Sequence, residues 1–341
     1  MRTSFVIVAY NSADAFRATI PALAAQLEAG DELVVVDNAS ADDSAEVAAQ
    51  LVPGALIVRN SANTGFAAGC NIGAAAASGE LLVLLNPDAR PAAGFRRAIE
   101  RPARERLGWG AWMGLVTMDA GTLVNSSGGV LHFTGLGWAG EAGTPVGDAT
   151  SPHEIGFVSG ACFAIPRSAY LEAGGFPEHF FMYCEDVDLS LRVRLRGGSL
   201  GIVPDARVDH DYDFAKGGLK WRRLERNRLA TVARTYPAAL LALVAPALVV
   251  TEVAILAAAV RGGWGRQKLF AWGDLLAAMP RLWHERKQVQ RSRAISATEF
   301  ARTLTPELSS PYLGPMAQSR PVVVGLRAYW AAVRALLRLG S

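Results

Sequence analysis

Short apolar runs alternate with helical spacing over the first 90 positions. Residues 5–9 are continuously apolar and predict a buried strand, after which Phe16, Ile20, Leu23 and Leu27 recur at the intervals of an amphipathic helix. Residues 33–36 predict a second strand. Ser40 and Asp43 then stand at capping-box spacing before a helix reaching Leu51, with Asp where Glu is usual. Residues 56–58 predict a third strand, 67–77 a helix of small residues, and 81–85 a fourth strand. Strands alternating with helices in this way pair in parallel through right-handed crossovers. The expected fold is therefore an open α/β sheet that takes ligands at the C-terminal ends of its strands.

From residue 110 to 165 the chain becomes Gly-rich and strand-like, with turns at Gly128-Gly129 and over 135–143. Helical patterning returns over 186–196, and 200–203 predict a last strand. Beyond Lys216 the residues are helix-forming and rich in Ala and Leu, so the expected division is a body of 1–215 and a helical tail of 216–341. No period of 20 to 50 residues marks a repeat architecture.

Composition narrows the class. In 341 residues the hydrophobic share is 51%, which excludes a wholly disordered chain. Cys70, Cys162 and Cys184 are odd in number and spaced for neither a zinc site nor a disulfide framework, as expected of reduced cytosolic thiols. The apolar run at 5–9 is too short for a signal-peptide core and enters a polar loop at once, so the body is expected on the cytoplasmic side.

Charge changes the picture of the tail. Residues 216–234 and 261–293 each carry +6, while 235–260 hold a single charge, Glu252, so 216–293 sum to +11 and the rest of the chain to −8. An acidic body joined to a basic, apolar tail suits an anionic membrane surface, and no nucleic-acid partner is expected. The 26 residues 235–260 are long enough to cross a bilayer, yet one crossing would strand a +6 block outside, and Pro246 and Glu252 disfavour a straight span. The expected arrangement is peripheral or re-entrant, a helical hairpin on the cytoplasmic leaflet with Trp264, Phe270, Trp272 and Trp283 at headgroup level. A buried core helix pair and a true span are the alternatives.

The candidate chemistry sits at strand ends. Ala9-Tyr10-Asn11 and Asp37-Asn38-Ala39-Ser40 close the first two strands and share one crevice, where Tyr10 can stack on a base and Asp37 can accept its N–H or a ribose hydroxyl. The third turn leads into Gly65, Gly69 and Gly73 at four-residue spacing. Such a helix start lets a diphosphate approach the backbone, or else only packs a helix closely. The first turn lacks G-x-G-x-x-G, which disfavours NAD. Asn86-Pro87-Asp88 ends the fourth strand, where a carboxylate can hold Mg2+ or Mn2+ against phosphate. Glu185, Asp186 and Asp188 gather at a helix start, either stabilised there by the helix dipole or kept ionised as a general base. His210, between Asp209 and Asp211, is a solvated loop residue or a second ligand to the metal of Asp88.

Taken in order, Val8-Ala9-Tyr10-Asn11, Val36-Asp37-Asn38-Ala39-Ser40, the run from Asn63 through Gly65, Phe66 and Gly69 to Asn71, Leu85-Asn86-Pro87-Asp88, Gly160-Ala161-Cys162 and Met182-Tyr183-Cys184-Glu185-Asp186-Val187-Asp188 resemble the family 2 glycosyltransferases of GT-A fold. The likeness is greatest to the rhamnosyltransferase-like subgroup, over residues 3 to about 230, and the basic-apolar-basic tail is similar to tails in that subgroup. It implies an inverting transfer of a sugar, with L-rhamnose from dTDP-rhamnose favoured over a UDP-sugar, to a glycan or lipid-linked acceptor of the cell envelope.

The resemblance also implies roles. Tyr10, Asn11 and Asp37 would contact the nucleoside, Asn63, Gly65 and Asn71 would shape the donor pocket, Ala9, Asn38, Phe66, Gly69 and Asn86 would also bind the donor, and Asp88 with His210 would hold a divalent ion. Asp186 would be the base, supported by Glu185 and Asp188. Residues 1–90 would then be the nucleotide-binding half and 91–215 the acceptor-binding half. Asn86 stands where many members have the first acid of Asp-x-Asp, so one carboxylate ligand is absent. Two other classes compete. A nucleotidyltransferase would want a basic, Gly-rich first turn, and residues 9–15 contain no Lys, Arg or Gly. A membrane-tethered nucleotide-sugar-binding protein without catalysis would make the three acids dispensable.

Overall fold

In the computed structural model, which describes residues 1–147, 151–211, 217–310 and 313–340, Thr3–Ala9 form β1 with every residue buried. A strand this apolar has to lie inside a sheet covered on both faces. Then follow α1 (Ala13–Ala24), β2 (Glu32–Asp37), α2 (Ser44–Leu51), β3 (Leu56–Arg59), α3 (Gly65–Ala76) and β4 (Leu81–Leu85). β1 pairs in parallel with β2, Val6 opposite Val34, and with β4, Val6 opposite Leu84. The chain thus runs outward from β1 to β3 and returns on the other side of β1 at β4. That reversal opens a crevice at the C-terminal ends of β1 and β4, the place where open α/β sheets bind ligands.

The second half adds β5 (Arg90–Pro91), α4 (Phe95–Arg104), β6 (Trp109–Met118), β7 (Leu123–Ser126), β8 (Gly129–Leu131), β9 (Gly137–Ala139), β10 (His153–Glu154), β11 (Cys162–Pro166), α5 (Arg167–Glu172), α6 (Glu185–Leu195) and β12 (Ser199–Asp209). Among the described residues the sheet reads β10-β12-β6-β11-β4-β1-β2-β3, with β11 antiparallel to both β4 and β6 and β12 parallel to β6. It is an open mixed sheet flanked by helices. β12 runs well past the strand predicted over 200–203, because its register shifts after Val203 and pairing with β6 resumes at Arg207.

Two local expectations are corrected. Ser40 does not cap α2: the N-cap is Asp43, without a side-chain bond, and Ser40 Oγ instead accepts from Asn11 N at 3.1 Å. The capping work passes to Asp42, which accepts from the N–H of Ser44 and of Ala13 and ties two helix starts together. The Gly69 and Gly73 spacing is a packing device. A Cβ at Gly69 would stand 2.6 Å from Val8 Cγ1, and one at Gly73 would stand 2.3 Å from Val6 Cγ1, so both glycines let α3 lie directly on β1. Gly73→Ala should therefore destabilise the fold by about 1–3 kcal/mol through overpacking. A fall of several degrees in Tm, partly restored by adding Val6→Ala, checks this.

The chain divides into two compact units. The first holds residues 1–129, 139–193 and the described residues of 198–212; the second holds 130–138, 194–197 and the described residues of 213–341. The boundary expected at 215/216 lies outside the described residues. The second unit consists of α7 (Gly217–Thr235), α8 (Ala238–Arg261), α9 (Gly265–Arg291), α10 (Ala297–Ala301), α11 (Gly314–Ala317) and α12 (Arg320–Leu339), with most of the β8–β9 hairpin. Residues 130–138 join it because Phe133 stacks on Trp330 of α12, ring centroids 4.8 Å apart, and 194–197 because Leu195 O accepts from Ala294 N at 2.7 Å. Inside it Tyr236 and Phe300 meet edge to face, and both are fully buried.

Candidate active site

All the candidate residues lie in the first unit, and the strand ends deliver most of them to one edge of the sheet. Ala9 is buried and its carbonyl accepts from Asn38 N at 2.8 Å, which holds the first two βα turns side by side. Tyr10 follows with its side chain free to stack, 52% exposed. Asn11 adopts a left-handed backbone, φ 52°, and its Oδ1 accepts from Ala41 N at 2.7 Å, so it braces the crevice wall. Asp37 is nearly buried; one carboxylate oxygen accepts from Ser40 N, and the other lies 3.8 Å from the guanidinium of Arg59 at the end of β3. Arg59 carried no predicted role. Its place at a strand end was the available signal.

Two asparagines expected at the donor are consumed by the protein. Asn38, 2% exposed, donates to Asn63 Oδ1 and Gly65 O and accepts from Asn60 Nδ2 and from both the N–H and the hydroxyl of Thr64. With donors and acceptors all engaged it organises the 60–65 loop and has nothing left for a ligand. Asn71 accepts from the Tyr170 hydroxyl and Phe176 N and donates to Phe176 O and Glu178, stapling α3 to the 170–178 segment. Both are positioning residues.

The expected anion site at the start of α3 is also corrected. The N–H of Ala67 donates to Phe181 O at 3.1 Å and that of Gly65 to Asn63 Oδ1 at 2.9 Å, so the chain itself occupies that helix terminus. Gly65, at φ +87°, is required because a Cβ would meet Phe181 O at 2.5 Å, and Gly69 faces Val8 of β1. Phe66 is half-buried against Phe176, 6.1 Å between ring centroids.

The acidic trio separates into three environments. Asp186 is half-buried, with Oδ2 accepting from Gly160 N and Oδ1 from Val187 N, both at 2.8 Å. Burial raises its pKa above the usual aspartate value, against the pull of those two amides. Glu185 is deeply buried, and its Oε2 has no hydrogen-bond partner among the described residues. Burial first, then the charges of Asp186 and Asp188, push its pKa well above that of a free glutamate. Asp188, expected to support catalysis, is fully buried and pairs with Arg192 Nε at 2.6 Å, while that guanidinium holds the carbonyls of Ala173 and Gly175. It anchors α6. Three non-glycine residues just before α6, Phe181, Tyr183 and Cys184, have φ between 64° and 74°, a strained approach that sets Asp186 against Gly160.

Raised carboxylates give a signed prediction. If Asp186 must be ionised to work, kcat/KM falls on the acid side with an apparent pKa of the Glu185–Asp186 pair above the roughly 3.9 of a free aspartate. A rate profile from about pH 3 to about pH 8 checks it, and an acid limb lying below that value would remove Asp186 from the role.

β4 and β12 bring the remaining candidates together. His210, 5% exposed, points Nε2 at Asp88 Oδ1, 3.1 Å away, with the Asn86 amide 3.4 Å from the same nitrogen. Its neighbours turn elsewhere, Asp209 to Thr117 and Arg90, and Asp211 to Asp119 N. Among the described residues no group of three His, Cys, Asp or Glu side chains encloses a cation. One carboxylate and one imidazole do fit an ion that draws its other ligands from a diphosphate and water. Gly160 and Ala161 join the two clusters, since Ala161 O accepts from Asn86 N at 2.9 Å while Gly160 N serves Asp186. Gly160 carried no predicted role, and nothing local in the sequence ties it to an acid 26 residues later.

Residues 4–173 match the family described as Glycosyl transferase family 2. The N-acetylglucosaminyl-diphospho-decaprenol L-rhamnosyltransferase of Mycobacterium tuberculosis is 27% identical over 235 residues, 62% of this chain and 76% of that protein. Rhamnosyltransferase WbbL of Escherichia coli is 36% identical over 56 residues, 16% of this chain and 21% of that one. Among solved structures, GalNAc-T7 with UDP, GalNAc and Mn2+ superposes with a TM-score of 0.58 at 19% identity, over 71% of this chain and 50% of the other. S. aureus TarS 1–349 in complex with UDP gives 0.52 at 14% identity, over 100% and 92%. Identities this low speak to the fold, which is GT-A.

Proposed function

The chain belongs to glycosyl transferase family 2, and from that premise we propose that it moves L-rhamnose from dTDP-rhamnose to a hydroxyl of a lipid-linked glycan, with inversion. The observation that carries the reading is Asp186, a half-buried carboxylate held on Gly160 N beside the Asp88–His210 pair, in a chain related over most of its length to an L-rhamnosyltransferase acting on a diphospho-decaprenol acceptor. Tyr10 stacks on the base, and Asp37, with Arg59 behind it, accepts from the nucleoside. Residues 1–90 hold the donor and 91–215 receive the acceptor.

Asp186 accepts the proton of the acceptor hydroxyl as that oxygen forms its bond to the anomeric carbon. The bond from that carbon to the diphosphate oxygen breaks on the opposite face, and the electron pair leaves with the nucleoside diphosphate. Asp88 and His210 would hold a divalent ion, Mg2+ or Mn2+, which offsets charge on a leaving diphosphate when bound. A lipid-linked acceptor would be met at the cytoplasmic face of the cell membrane.

The test is a donor panel read by released nucleoside diphosphate: dTDP-rhamnose, UDP-glucose, UDP-galactose and GDP-mannose, each with Mg2+ and with Mn2+. dTDP-rhamnose should give the highest turnover. Preference for a UDP-sugar would overturn the donor and leave family membership intact.

A further inference from the structure

In the second unit α8 is the one helix among the described residues long and apolar enough to cross a membrane, and only 11% of its most apolar stretch is buried. Its outward side is a continuous stripe. Ala245, Val249, Val250, Val253, Ala257 and Val260 recur at helical spacing and are exposed, the four valines between 63% and 69%. No exposed position from 242 to 260 carries a polar side chain. The helix's single acid points the other way: Glu252 bonds Arg228 of α7 and Lys268 and the Trp272 indole of α9, and Glu225 completes the cluster through the same two cations.

Charge is sorted by side as well. Every acid of residues 238–293 is paired within the unit: Glu252 as above, Asp274 with Arg222, and Glu285 with Arg234. The exposed charges on α8 and α9 are all basic, Arg261, Arg266, Arg281, Lys287 and Arg291, and α9 adds exposed Leu269, Phe270, Leu276 and Trp283 between them. An apolar stripe in water is costly, and a second copy of this surface would set basic rim against basic rim. An anionic monolayer answers both features.

We propose that the outward stripe of α8, with the apolar positions of α9, lies flat in an anionic lipid monolayer, and that the buried Glu225–Arg228–Glu252–Lys268 cluster latches α8 to α7 and α9 so that it does not cross the bilayer. The latch works because withdrawing Glu252 into lipid would leave two buried cations short of their partner. Of the four aromatic side chains expected at headgroup level, Phe270 and Trp283 are exposed for that role, whereas Trp272 is bonded to Glu252 and Trp264 stacks on Trp221 at 4.8 Å. This deepens the lipid-linked reading above by naming the surface that meets the lipid.

Binding of the full chain to vesicles, with neither donor nor acceptor present, tests the surface separately from the donor assignment. The protein should sediment with phosphatidylglycerol/phosphatidylcholine vesicles and much less with pure phosphatidylcholine, and lose that preference as salt rises from about 0.1 M to about 1 M. Val250→Glu with Val253→Glu, at exposed sites where folding is unaffected, should weaken binding about tenfold or more. In Arg266→Cys added to intact vesicles, a membrane-impermeant maleimide should label the thiol as well before lysis as after. Labelling only after lysis would mean that α8 crosses. Undiminished binding of the double variant would overturn the stripe, and a soluble dimer that the double variant dissolves, without vesicle binding, would make a second copy the occupant.

Discussion

Asp186→Asn is expected to lower turnover by about 10²-fold or more, the lower range for loss of a general base, while the fold and nucleotide affinity remain. The substitution is nearly isosteric, and an amide oxygen can still accept from Gly160 N or Val187 N. What it cannot do is take a proton from the acceptor hydroxyl. Turnover with a saturating acceptor, beside dTDP affinity by titration, separates lost chemistry from lost binding. Two neighbours serve as contrasts. Asp188→Asn breaks the buried ion pair with Arg192, so it should fail in stability, by about 3–5 kcal/mol. Glu185→Gln should be tolerated, because burial already disfavours the charged form of this side chain and the amide is nearly isosteric. A nearly normal Asp186→Asn together with an inactive Glu185→Gln would transfer the role of base to Glu185.

Asp88→Ala and His210→Ala should each cost about 10²-fold in turnover, the scale for losing one stabiliser of developing charge. Both variants should also respond less to Mg2+ or Mn2+ and bind dTDP more weakly when the ion is present. The reason is geometric: the two side chains approach within 3.1 Å at the mouth of the crevice, and no third carboxylate or histidine joins them among the described residues. Asn86 stands where a further acid would, so among the described residues no other carboxylate or histidine completes a three-residue group there. Removing the ion with EDTA should bring wild type and variants to the same low rate. Full activity in EDTA would overturn the assignment and make a cation such as Arg59 the partner of the diphosphate.

How much of this was legible in the chain differs from residue to residue. The strands at β1, β2 and β4 and the helix α6 follow from apolar runs and helical spacing, because burial on a sheet or helix face repeats at intervals of two to four residues. The order of the motifs carried the family, and the strand ends carried Tyr10, Asp37 and Asp88 to one edge, since a parallel sheet delivers every C-terminal strand end to the same side. Asn38, Asn71 and Asp188 read in sequence like the other candidates for ligand contact.

Only their partners distinguish them. Asn71 is saturated by atoms about a hundred positions away, and Asp188 by a guanidinium that also binds the 173–175 turn. Gly69 looked suited to a diphosphate until the fold set it against Val8. Glu252 read as an obstacle in an apolar run, and the bundle made it the inward anchor of α8. Local pattern thus determined the elements, their order and the identity of the candidate groups, because propensity and hydrophobic period act within a few residues. Tertiary packing decided which groups remain available for chemistry, since hydrogen bonds such as Gly160–Asp186 and contacts such as Asn86–His210 close over 26 and 124 positions. A buried polar group spends its bonding capacity on whatever the fold brings within reach, and its neighbours in sequence do not reveal what that is.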